Sequence, residues 1–100
     1  MNISEIVYQG RNNTFSLTVK QDGVGVDWSA ATNFELNVAG ITVSSGISGD
    51  SLGEITFDIQ SENIPIGTHV AELIVFDPSH PLGQVVFDEN SERKIHIKFV

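Results

Sequence analysis

The chain has 100 residues, 13 acidic against 5 basic, a formal net charge of −8 and no cysteine. So few lysines and arginines displace little counterion from phosphates, and a surface of this sign is repelled by nucleic acid and anionic membranes. The absence of cysteine excludes disulfides, thiol catalysis and cysteine-ligated zinc.

With 40% hydrophobic residues and a mean hydropathy of +0.03, the composition predicts one globular domain spanning 1–100, large enough for a modest core. No apolar run approaches the roughly 18 residues of a membrane-spanning helix. The N-terminal Met1-Asn2-Ile3-Ser4-Glu5 lacks the basic start and apolar block of a signal peptide, so synthesis and folding in a cytoplasm are expected. The Asn-x-Ser/Thr matches at Asn2 and Asn12 then carry no weight.

In chain order, the signal that recurs is alternation with period two, while apolar residues at helical spacing are nearly absent. Residues 4–8 read as a short first strand. In 14–20, Phe15, Leu17 and Val19 point one way, and Thr14, Ser16, Thr18 and Lys20 the other. Asp22-Gly23 then supplies a tight turn. Val24 and Val26 carry the chain across the end of the fold, where Asp27 and Ser29 cap a local turn beside Trp28, the one tryptophan. Residues 33–38 place Phe34, Leu36 and Val38 inward, and 41–44 form a weak strand ended by Ser45-Gly46. Residues 43–49 read as a Gly/Ser loop.

Ile55, Phe57 and Ile59 form the inward set of 54–60, and Pro65-Ile66-Gly67 makes the next turn. The longest strand, 68–76, turns Ala71, Leu73 and Val75 toward the core. Its other face carries Val70, Ile74 and Phe76 with Glu72, an apolar strip that is either exposed for contact or covered by something else. Two prolines mark 77–83 as loop rather than strand. A short strand at 84–88, a turn at 89–91 and a last strand at 94–99, with Ile95, Ile97 and Phe99 inward, complete the chain. About seven short strands with one wet face each predict an all-β fold, a small antiparallel β-sandwich of immunoglobulin-like form, with a small barrel as the alternative.

Chemistry is sparse. His69, His80 and His96 have neither the i, i+4 spacing of a helical metal site nor the two-residue spacing of ligands on one strand face. Asp22-Gly23 with Asp27, and Asp88-Glu89 with Glu92, do not make a calcium loop. There is no Gly-x-Ser-x-Gly elbow and no phosphate loop. The expectation is a protein with no catalytic, cofactor-binding or metal-binding residues. Its best candidate interface is Val70, Ile74 and Phe76, together with an unpaired edge strand.

The order of the signals says more than any one of them. Ile6-Val7-Tyr8-Gln9-Gly10 leads into a strand. Asp22-Gly23 and Val26-Asp27-Trp28-Ser29-Ala30-Ala31 come next, followed by Leu52-Gly53-Glu54-Ile55-Thr56-Phe57. Ile66-Gly67-Thr68-His69-Val70-Ala71-Glu72-Leu73 opens the late strand. This order resembles the small immunoglobulin-like domains of tailed-phage structural proteins, most nearly the N-terminal domain of phage baseplate upper proteins. Arg11 stands where that family often has aspartate, Trp28 where it has leucine, and His69 where it has tyrosine.

The resemblance implies a virion module of tail, baseplate or neck. Such a module is made in a bacterial host's cytoplasm, docks on other virion proteins or on copies of itself, and carries no catalytic residues. It also implies that Trp28 is a core plug rather than a binding platform. The alternative is a β-sandwich carbohydrate-binding module, which presents aromatic side chains to sugar rings. Its candidate platforms here are Trp28, Tyr8 and Phe76.

Overall fold

The structure, a computed structural model, describes residues 3–60, 64–91 and 93–100. Among these, eleven strands form: β1 (Ile3–Val7), β2 (Asn12–Thr18), β3 (Lys20–Gln21), β4 (Val24–Gly25), β5 (Asn33–Val38), β6 (Ile41–Val43), β7 (Ile47–Gly49), β8 (Glu54–Gln60), β9 (Gly67–Asp77), β10 (His80–Phe87) and β11 (Ile95–Phe99). They make a β-sandwich. One sheet runs β1-β11-β9-β5-β6, with β10 also paired to β9, and the other runs β2-β8-β7. β3 and β4 form a separate two-stranded ribbon. This division, with β2, β8 and β7 in one sheet and β5, β9, β10 and β11 in the other, is the immunoglobulin-like arrangement.

The alternation in the sequence becomes the two inner faces. Leu17 from β2 and Ile55, Phe57 and Ile59 from β8 face Phe34, Leu36, Leu73, Val75, Ile97 and Phe99 from the larger sheet, all of them buried. Phe15 stacks on Phe57 across the β2–β8 pair with ring centroids 4.8 Å apart, an offset arrangement that aromatic pairs favour. Ile64 enters the same core from the segment after β8.

Two hairpins owe their tightness to left-handed backbone. Asp22 and Gly23 have φ of 54° and 79°, and Ala39 and Gly40 have 52° and 78°. Positive φ at both central residues is the signature of the type I′ turn, whose twist matches that of the strands it joins. Asp22-Gly23 is legible in the sequence, whereas Ala39-Gly40 carries an alanine where asparagine or glycine is the usual occupant.

Three expectations are corrected. β1 pairs in parallel with β11, Ile3 opposite Ile95 through Val7 opposite Phe99, so the sandwich is not wholly antiparallel. The two strands are separated by nearly the whole chain, which supplies the long crossover a parallel pair requires. The stretch 43–49 is not all loop, since β7 pairs with β8. The residues 77–83 are not loop either: β9 runs to Asp77, β10 begins at His80, and only Pro78 and Ser79 turn.

Pro81 is tolerated in β10 because the ladder skips it, His80 lying opposite Asp77 and the next register pair being Gln84 with Val75. A missing N–H costs nothing where no ladder bond is made.

The outer face of β9, which the sequence leaves open between an exposed strip and a covered one, is covered in part. Residues 81–83 oppose Phe76 alone, so β10 bulges over that face. A Cβ placed on Gly83 would lie 2.5 Å from Ile74 Cγ2 and 2.8 Å from Phe76 Cε2. The glycine backbone therefore rests directly on these two side chains. Val70, Ile74 and Phe76 are not one exposed strip: Val70 is exposed, and Ile74 and Phe76 are half-buried.

Candidate functional site

At the end of the sandwich where β6 passes Asp58 and Ile59 of β8 lies a groove of about 600 Å3. Ile41, Val43, Ile59 and Ile64 lie at its base, Ile59 and Ile64 almost fully buried, so its accessible lining is mostly polar. Its rim is polar, from Asn12, Thr42, Ser44, Ser45 and Asp58. The strand period explains the split: Ile41 and Val43 turn toward the core while Thr42 turns away.

The rim is held in place. Thr42 donates to Asn37 Oδ1 at 2.6 Å, and Asn37 Nδ2 donates to Glu72 Oε1 at 2.9 Å, a relay from β6 across β5 to β9. The Asp58 N–H donates to the Gly46 carbonyl at 2.7 Å, tying the 44–46 turn to β8. Gly46, at φ +76°, leaves no room for a Cβ against the Asp58 carbonyl, so only glycine allows this approach. Hydroxyl, amide and carboxylate groups around an aliphatic base suit a ligand that offers hydroxyls at its edges. In the sequence these residues read only as a Gly/Ser turn beside a weak strand, and their convergence depends on the sheet pairing.

The residues singled out from the sequence lie elsewhere. Trp28 sits at the opposite end, packed against the core. Its Nε1 donates to the Gly53 carbonyl at 3.3 Å, and its backbone N–H donates to Asp50 at 2.9 Å. Gly49 makes room for it, since a Cβ there would lie 2.7 Å from Trp28 Cβ and 2.9 Å from Phe34 Cζ. Beside it, Asp27 accepts from the Ser29 N–H at 2.8 Å. The Ser29 hydroxyl, then its backbone N–H, holds the Asp27 carboxyl below its ordinary value. Tyr8 is exposed at the β1–β2 turn, Phe76 lies beneath β10, and neither lines the groove.

The histidines are dispersed. His69 Nε2 meets the Pro65 carbonyl at 2.9 Å and its ring leans on Phe99. His80 Nδ1 contacts Asp77 Oδ1 at 2.9 Å in the β9–β10 turn, and this hydrogen bond is the main cause that lowers the Asp77 carboxyl from its ordinary range. His96 Nε2 is buried without a hydrogen-bond partner among the described residues. No cluster of three or more metal-ligating side chains forms among those residues.

The chain matches no protein-family model and no curated protein. Among solved structures it is similar to part of the endo-β-1,4-mannanase from Thermotoga petrophila, with a TM-score of 0.55 and 18% identity, the whole chain covering 18% of that protein. It is also similar to part of SGBP-B of the Bacteroides ovatus mixed-linkage glucan utilization locus, solved with a mixed-linkage heptasaccharide, with a TM-score of 0.49 and 17% identity over 23% of that chain. The chain thus spans less than a quarter of either protein, and what it shares with the mannanase is the fold: a β-sandwich that also occurs as one part of a larger chain.

Proposed function

We propose that this chain is a recognition module that binds without catalysing, and that its ligand is a carbohydrate lodged in the groove between β6 and β8. The observation that carries the reading is the groove itself. Thr42, Ser44, Ser45, Asn12 and Asp58 ring it, and the rim is braced by the Thr42–Asn37–Glu72 relay. Occurrence of the same fold inside a mannanase supports it. The placement of Trp28 and Phe76 removes two of the three aromatic platforms, so binding here rests on hydrogen bonds at the rim rather than on ring stacking.

The test is an NMR titration of the labelled chain with β-1,4-linked mannan and glucan oligosaccharides, backed by a glycan array. Amide shifts should concentrate at 41–45 and 58, and Asp58→Ala should weaken binding about tenfold, as loss of one charged hydrogen-bond acceptor does. No response from any glycan would remove the reading.

A second reading is an assembly module of the virion type. It is supported by the order of turn and core signals along the sequence and by the immunoglobulin-like sheet order. It predicts a defined oligomer or incorporation into particles, so a strict monomer by light scattering that is absent from purified virions would refute it.

A further inference from the structure

The sandwich has several sheet edges, and they differ in how they are guarded. β10 is irregular, with Pro81, Gly83 and two register shifts. β6 and β7 are three residues each. β1 spans five residues and carries Glu5. β2 is unlike these. Among the described residues it pairs with β8 alone, through seven successive register pairs from Asn12–Gln60 to Thr18–Glu54 without a bulge. Its sequence, NNTFSLT, has no charge, proline or glycine. Natural sheets usually blunt a long regular edge with one of those devices.

The direction of its free groups follows from the ladder. The Asp58 N–H and the Glu54 carbonyl are used on the β7 side of β8. Bonding sides alternate along an antiparallel strand. Ile55, Phe57 and Ile59 therefore face β2 and bond Leu17, Phe15 and Asn13. The N–H and C=O groups of Thr14, Ser16 and Thr18 then point away from β8, into the space beyond the edge.

We infer that this edge accepts an extended strand from another protein chain, one that alternates apolar and polar residues and carries acidic residues at its ends. The alternation follows from the edge: a residue turned inward would cover half-buried Phe15, and one turned outward would sit beside Thr14 and Ser16. The acidic ends follow from charge. Segment 11–20 has no acid and is bracketed by exposed Arg11 and Lys20, in a protein whose net charge is −8. A second copy fits poorly, since antiparallel β2–β2 pairing sets Arg11 of one chain near Lys20 of the other.

The edge adjoins the groove at Asn12, which belongs to both, but Thr14, Ser16 and Thr18 do not line the groove, so the inference does not rest on the carbohydrate reading. It would give the assembly reading a surface. The labelled full chain is titrated with a valine–threonine alternating peptide flanked by glutamates, with its lysine-flanked counterpart, and with the glutamate form N-methylated to block pairing. The first should slow exchange of the Thr14, Ser16 and Thr18 amides by about tenfold or more, with weaker binding of the second at low salt and none of the third. Ser16→Pro, whose lost N–H serves no ladder bond, should abolish the protection; Ser16→Lys should weaken it if proline disturbs the fold. Unchanged exchange with the glutamate peptide overturns the inference, as does undiminished binding of the N-methylated form. So does protection that arises without peptide, through concentration-dependent self-association.

Discussion

At the scale of single residues, Asn13 does the most structural work for its size. It is the buried polar side chain among the described residues. Its Oδ1 accepts from the Tyr8 N–H at 2.9 Å, and its Nδ2 donates to the carbonyls of Tyr8 and Arg11, each at 3.0 Å, with Ile59 at 3.4 Å. One amide thereby satisfies the turn between the two sheets and fastens it to β8. Asn13→Ala leaves several backbone groups unmet in a place water reaches poorly. It should cost about 2–3 kcal/mol in denaturant unfolding, and Asn13→Asp, which keeps the acceptor and loses both donors, should also destabilise. The alternation puts Asn13 in phase with inward Phe15 and Leu17, but no local pattern shows the backbone groups that its amide meets there.

At the scale of elements, turns are where local chemistry and fold meet. Ala39 sits at φ 52°, where a Cβ is strained by about 1–2 kcal/mol and asparagine is better accommodated. Ala39→Asn should stabilise the β5–β6 hairpin by roughly 0.5–1 kcal/mol, seen as a higher midpoint at unchanged slope in denaturant. The β9–β10 turn is held by Asp77, whose Oδ1 accepts from the Ser79 and His80 N–H groups at 2.9 and 2.8 Å as well as meeting the His80 ring. The Asp77 carboxyl lies below its ordinary value of 3.8. Its contribution is therefore complete above that value and is lost as pH falls through the lower folded value. Acidification from pH 5 toward 2 should release the Ser79 and His80 amides in NMR exchange, and Asp77→Asn should flatten that dependence. Pro81 teaches a related point: proline rules out a ladder bond but not a strand, and only the register shift between His80 and Gln84 reveals that none was needed.

At the scale of the whole molecule, the parallel pairing of β1 with β11 joins the two extremes of the chain. Most contacts are likewise between segments distant in sequence, so loop closure must precede the contacts that reward it. Folding should therefore take milliseconds to seconds rather than microseconds, which stopped-flow emission from Trp28 reads directly. A relaxation faster than about a millisecond would mean that local hairpins, not sheet closure, limit the rate.

The sequence by itself determined the class of fold and the inward faces. Leu17, Phe34, Leu36, Ile55, Phe57, Leu73, Val75, Ile97 and Phe99 are buried where alternation put them, because side-chain direction on a strand is a local property of period two. Strand limits at 33–38 and 54–60 were equally legible. Tertiary structure alone decided what lies over each outer face and which edges stay open. Ile74 and Phe76 look like an exposed strip until a bulge in β10 lays Gly83 across them. The groove needs β6 and β8 brought together from residues far apart, and the free edge of β2 is defined by the strand that does not pair there. Partners across a sheet and between sheets are set by non-local closure, which no periodicity along the chain encodes.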